Sequence, residues 1–509
     1  MAGTQGRTVW VLGDQLDRRL AHLHGAQPRD TRVLFVVSLN KIRSAPWHRQ
    51  RLHFILAAMR RCASELAAQG FEIDWRVAET MAVGVAEHIR DYHPARIDVM
   101  QPMNMAGQRL IDRLTLTHSI NVIRSDQFLC HRDDFAEWAT ANRRRDGSLL
   151  LEDFYRWQRR RLGILIEPDG EPSGGRWNFD DENRLPPPKG EHPWPTPLVD
   201  ELDDIDDEIA RFIDSIDGVR LVGAAPTGLW STSRTGALAR LDHFVATGLA
   251  GFGPYEDAVL AQQRHLNHSM LSPYLNVGLL HPDEVVAAAL AATDVPMNSR
   301  EGFVRQMIGW REYVHGIYWW HGADYAQSNF FDADDPLPPS FTGGPTQMRC
   351  VSHVAQWVSD DAWTHHIPRL MVLANLATLA GTAPEAMVQW MWANFVDGAE
   401  WVMVPNLIGM GLYADGGQMS TKPYVSGGNY LSKMTDFCRG CRFDKSARTG
   451  DDACPFTTLY WDFLDRHRDR LRPNHRMARV YANLDRLADL DDIRTRAVEV
   501  RRRLSAGTL

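Results

Sequence analysis

The residues best suited to chemistry lie in the second half of the chain. Three of its six cysteines fall in "DFCRGCRFDKSARTGDDACPF", spaced Cys438-x2-Cys441-x12-Cys454, with Pro455 directly after the last. Cysteines clustered in this way suggest metal or redox chemistry where thiols stay reduced. A structural zinc site and an iron–sulfur cluster both take four thiolates, so one ligand must come from elsewhere. The spacing alone does not choose between the two. Adjacent histidines, His365 and His366, can exchange a proton near neutral pH. Close by, Arg369 stands in the apolar run "IPRLMVLANL" and needs a counter-charge, for which Glu400 is the candidate.

These residues need a scaffold, and 509 residues exceed a single core, so two or three domains are expected. β-rich apolar runs occur at 8–13, 32–39, 72–79, 95–102 and 120–126, separated by helical patterns such as that over 49–70. Strand and helix alternating in this way predict a doubly wound parallel sheet with ligands beyond the C-terminal strand ends. No G-x-G-x-x-G follows the first strand, so a dinucleotide fingerprint is absent. Pro, Gly and acids fill 170–201, which reads as a connector, and from about 205 onward the pattern is helical with no convincing strand. The expected architecture is an α/β N-terminal domain over 1–135, a connector over 136–235 and a larger all-α domain over 236–509.

The formal charge of −8, from 64 acidic against 56 basic residues, argues weakly against nucleic acid. A local basic face nevertheless suffices to bind phosphates. The segment 142–163 offers one in Arg143 to Arg145 and Arg159 to Arg161, interleaved with Phe154, Tyr155 and Trp157; a solvated arginine-rich helix fits the same pattern. The start of the chain lacks a basic region followed by an apolar one, and no run of about 18 apolar residues occurs. A cytoplasmic monomer without a membrane span is therefore expected. Cys62 and Cys130 read as buried small hydrophobes.

In "HLNHSMLSPYLNVGLL", Ser269 and Ser272 can cap a helix with Pro273 in its first turn. Free N–H groups there suit a phosphate, and an ordinary capped helix explains the same residues.

Taken together, "SMLSPYLNVGLL", "EGFVRQMIGWREYV", "THHIPRLM", "EWVMVPN" and "ADGG" resemble the photolyase/cryptochrome family, and most closely its iron–sulfur bacterial branch, the prokaryotic (6-4) photolyases. The resemblance runs from the first strand to about residue 480, specific in the helical half and looser before it. It implies FAD bound in the all-α domain and a 4Fe–4S cluster on Cys350, Cys438, Cys441 and Cys454. The implied flavin contacts are Ser269, Leu271 and Ser272 at the phosphates, with Tyr255, Asn267, His268, Gln306 and Arg311 nearby, and Arg369, Glu400 and Asn406 completing the set. Asn406 would face flavin N5. His366 would face the DNA lesion with His365 behind it, Asp180 in "RWNFDDEN" would meet a divalent cation such as Mg2+, and Trp390 would be the inner electron donor.

The sequence departs from that branch at three positions. Met391 replaces a frequent tyrosine, Phe341 replaces a frequent tryptophan, and Ser38 stands where a glutamate would serve a 6,7-dimethyl-8-ribityllumazine antenna. The function implied is blue-light repair of (6-4) photoproducts in UV-damaged DNA. The alternatives are a cryptochrome-like photoreceptor without repair and, more distantly, a zinc-stabilised nucleic-acid-binding protein.

Overall fold

The computed structural model describes residues 6–509. Five strands, β1 (Arg7–Val11), β2 (Thr31–Ser38), β4 (Glu72–Ala78), β5 (Arg96–Met100) and β6 (Ile120–Ile123), form a wholly parallel sheet in the order β4-β2-β1-β5-β6. Each coincides with one of the expected apolar runs. The strand period of two sorts their side chains between the faces. Val9, Val11, Val33, Phe35 and Val37 point into a core shared with the Arg49–Ala68 helix, while Trp10, Leu34 and Val36 pack on the other face beneath Val85 and Ile111.

Two elements lie outside the expected pattern. The three-residue strand β3 (Pro46–His48) pairs in parallel with β7 (Arg220–Val222), a strand in the stretch read as purely helical. At three residues it is too short for a periodic signal. It nonetheless ties the sheet domain to the connector, and Trp47 on β3 meets Trp392 of the Pro384–Asn394 helix at 4.5 Å.

The core holding the inner sheet face also contains Leu271, Tyr274, Phe303 and Ile308 from the helical half, so one apolar interior spans the seam. A separate helical core runs through Trp357, Trp390, Trp401, Phe437 and Phe463. Three helices in this half change to π-helical turns, at Arg305–Arg311, Pro368–Ala374 and Asn406–Gly411. Such widened turns often occur at functional sites, and these three carry Gln306 and Arg311, Arg369, and Asn406. No helix among the described residues is long and apolar enough to cross a membrane.

Candidate active site in the helical domain

Arg369 finds its counter-charge in Asp397. Its two terminal nitrogens donate to the two carboxylate oxygens at 2.9 and 3.0 Å, and its Nε donates to the Thr364 carbonyl at 2.7 Å. Glu400, the expected partner, instead accepts from the Tyr318 hydroxyl at 2.7 Å. Asp397 is the turn residue that closes the end of the Pro384–Asn394 helix, and that turn, rather than the helix register, brings it to Arg369. Ser272 Oγ also donates to Asp397, at 2.7 Å, and Asn276 Nδ2 donates to the Asp397 carbonyl at 2.8 Å. Ser272 thus opens a short helix, Ser272–Asn276, without capping it, and Ser269 accepts only from the Leu271 N–H.

Beside this ion pair, four histidines converge. The His268 ring stacks on His365 at 4.1 Å with an interplanar angle of 18°, and His265 stacks on Trp363 at 5.7 Å. His365 is 2% exposed, yet neither ring nitrogen has a hydrogen-bond partner among the described residues; His268 Nε2, His265 Nε2 and Thr364 Oγ1 share that condition. Unpaired polar atoms at such depth carry a desolvation penalty that a bound polar group would relieve. Burial, followed by the charges of neighbouring histidines and Arg369, lowers the pKa of His268 to about 3 and holds that of His365 well below the ordinary range. His366 is exposed, unlike the other three, and the protein around it, then Arg369, also push its pKa down. Without a ligand these rings are neutral at pH 7.

Asn267, His268 and Ser269 line a cleft, together with Pro195 and Leu198 of the connector and with Arg240 and Phe244. Leu271 is buried. Tyr255 turns aside, packing on Trp194 and His192 at 5.5 and 5.2 Å.

Gln306 reaches a second group of charges. Its Nε2 donates at 2.7 Å to Glu256, whose pKa burial pushes up to about 8. Arg305 bonds Asp180 at 3.0 Å, and Arg184 also pairs with Asp180. The Asp180 carboxylate is therefore compensated by two guanidiniums. Among the described residues no three His, Cys, Asp or Glu side chains gather as a single-ion site.

Three further expected groups are held by contacts within the protein. Arg311 points to the sheet domain, bonding Glu312 at 2.9 Å and the Gln127 carbonyl at 3.3 Å while lying over Phe128. Arg159 is fully buried and donates to the carbonyls of Ile164, Leu165 and Trp177, and Phe154 and Tyr155 are core residues, so the basic segment is not one continuous exposed face. Asn406 opens its π-helical turn with Nδ2 donating to the Val402 carbonyl at 2.8 Å.

Trp390 is buried between Phe341 and Phe395, at 5.3 and 5.9 Å. All six cysteines are free thiols, Cys62 and Cys130 among the buried residues. Cys350, Cys438, Cys441 and Cys454 lie close enough to act on one another's charge: burial first, then the other three thiols, raise the Cys350 pKa far above its ordinary value, and burial takes Cys454 to about 11. Cys350 and Cys454 both stand at helix N-termini, where the backbone favours a thiolate once a cation is present.

A protein of Agrobacterium fabrum named "(6-4) photolyase" is 39% identical over 97% of this chain and 99% of its own length. The chain belongs to the photolyase/cryptochrome family. It falls in the branch of the prokaryotic (6-4) photolyases. A family model for "Deoxyribodipyrimidine photo-lyase-related protein" matches residues 9–224. The photolyase fold extends over the whole molecule: a bacterial class III photolyase from Agrobacterium tumefaciens superposes over 99% of both chains with a TM-score of 0.58 at 16% identity. A cryptochrome from Synechocystis sp. PCC6803 superposes with a TM-score of 0.53 at 13% identity, covering 98% of this chain and 99% of its own.

Proposed function

We propose that this protein is a light-driven lyase repairing (6-4) photoproducts in DNA, with FAD in the cleft beside Ser272, His268 and Arg369. The observation that carries this reading is the unpaired histidine cluster beside the Arg369–Asp397 pair, in a chain 39% identical over its length to a "(6-4) photolyase". Polar atoms left unpaired at that depth, along an apolar-walled cleft, suit a large cofactor with both ring and phosphate groups. Bound FAD, in its reduced and photoexcited form, supplies the electron.

The chain supplies the rest. Arg369 and Asp397 fix the backbone just before His365 and His366. His366, the exposed member, meets a lesion flipped out of the duplex and moves a proton at a ring nitrogen. Its depressed pKa means that the ring must first be charged, which the negative field of DNA phosphates favours. His365, stacked on His268, is the support behind it.

Cys350, Cys438, Cys441 and Cys454, which act on one another's charge, would hold the 4Fe–4S cluster that the resemblance to this branch implies, four thiolates being its usual ligand set. Mg2+ at Asp180 would have to displace Arg184 or Arg305. A 6,7-dimethyl-8-ribityllumazine antenna has less to rest on, since Ser38 Oγ is used to cap the helix Leu39–Arg43. The photoreceptor reading draws on one observation: Trp390 has phenylalanines as ring neighbours, and these are too hard to oxidise to pass an electron on. The test is blue-light repair by the flavin-loaded protein of oligonucleotides carrying one (6-4) or one cyclobutane lesion. Repair of the (6-4) lesion supports the proposal, and repair of neither leaves the photoreceptor.

A further inference from the structure

Arg51 is a buried cation for which no ion-pair partner exists among the described residues. It lies on the first turn of the Arg49–Ala68 helix, in the sheet domain, and is 7% exposed. A guanidinium held at such depth without a carboxylate touching it is costly, and burial accordingly lowers its pKa to about 10. Its hydrogen bonds cross the domain seam: one terminal nitrogen donates to the Phe395 carbonyl at 3.0 Å and to the Val396 carbonyl at 3.3 Å. Those carbonyls immediately precede Asp397, and the Asp397 charge is what partly offsets the burial of Arg51. Phe395 is also contacted at its ring, over which the Arg369 guanidinium lies at 4.3 Å. Gly398 completes the arrangement, since a Cβ there would stand 2.5 Å from the Trp392 carbonyl oxygen and 3.2 Å from the Arg51 guanidinium.

We infer that Arg51 is a positioning residue of the flavin cleft, acting through the Phe395–Asp397 turn. By holding two carbonyls of that turn it fixes where the Asp397 carboxylate stands. Asp397 in turn holds Ser272, three residues on from Ser269 of the cleft, and Arg369 beside the His365–His366 backbone. A residue of the sheet domain thereby sets geometry in the helical one. Lys41 and Trp47, the other groups packed around it, anchor the same seam through Trp392 and do not touch the turn by any hydrogen bond described.

This inference rests on the cleft being an FAD site, and its test separates the two. Full-length wild type, Arg51→Met, Arg51→Gln, Arg51→Lys, Asp397→Asn and the Arg51→Met/Asp397→Asn double variant are stripped of flavin. Their FAD affinities are then measured by reconstitution, with thermal unfolding followed in parallel. Arg51→Met and Arg51→Gln should weaken FAD binding about tenfold, and Arg51→Lys should restore it to within about threefold. The double variant should be no weaker than Asp397→Asn alone, because residues acting through one another are non-additive. Should Arg51→Met fail to fold, the comparison of Gln with Lys decides. Additive losses, equal defects in Lys and Gln, or wild-type affinity in Arg51→Gln would overturn the role of Arg51 alone. A wild type that takes up no FAD would overturn the reading of the cleft and this inference with it.

Discussion

Arg369 and Asp397 are joined by two hydrogen bonds, of 2.9 and 3.0 Å, between a π-helical turn and the end of another helix. Both side chains are mostly buried, at 16% and 8% exposure, so neither charge is satisfied by water if the other is removed.

Asp397→Ala should therefore be among the most destabilising single changes near the cleft. Breaking a buried pair from one side costs about 3–5 kcal/mol. Urea unfolding of the flavin-free protein checks the magnitude, and Glu400→Ala, which removes only the Tyr318 hydrogen bond, should cost less.

Glu256 makes a prediction about pH. Its folded pKa is about 8 against an ordinary 4.5, because burial disfavours the carboxylate. The folded state thus holds a proton that the unfolded state releases above 4.5. The stability it contributes is full at low pH and is lost as pH rises toward 8. Glu256→Gln, a neutral mimic able to keep the hydrogen bond with Gln306, should remove that slope, worth roughly 3–5 kcal/mol across the window. Urea midpoints from pH 5 to pH 9, on about a one-unit grid, would show it; identical slopes for the two proteins would refute the assignment.

The cysteine account predicts iron. Cys350→Ser should lower iron from about four atoms per chain to below one and abolish the brown visible absorbance, whereas stoichiometric zinc in the wild type would contradict the cluster.

The basic segment separates into two behaviours. Arg143→Ala and Arg145→Ala, at exposed positions, should each reduce the salt dependence of DNA binding, by about 0.9 in log–log slope for each phosphate no longer neutralised. Arg159→Ala should leave that slope alone and lower the melting temperature, because Arg159 holds the carbonyls of Ile164 and Trp177.

That contrast shows where sequence reading succeeds and where it stops. The five sheet strands were legible because short apolar, β-rich runs alternate there with helical patterns. In "QRRRLG" nothing distinguishes Arg159 from Arg160 and Arg161, since helix rotation alone turns it inward. The same limit hid Asp397: Glu400 and Asp397 are equally acidic, and only the turn after Asn394 decides which one Arg369 can reach. Motif matching singled out His365, His366, Ser272 and Gln306, but not the groups they lean on. Glu256, Asp397 and Arg51 belong to no motif, and their importance comes from burial, which sequence does not display. The contacts of Arg311 were likewise hidden: the π-helical turn over Arg305–Arg311 shifts the helix phase, which a 3.6-residue pattern does not display.

The central claim is light-driven (6-4) repair with His366 handling the proton. The most direct measurement is the blue-light repair rate of a single-lesion (6-4) oligonucleotide by flavin-loaded wild type and His366→Ala at equal DNA occupancy. The account predicts repair by the wild type and a loss of at least about 100-fold in the variant, with DNA affinity little changed. Equal repair by the two proteins, or none by a wild type carrying reduced FAD, would contradict it.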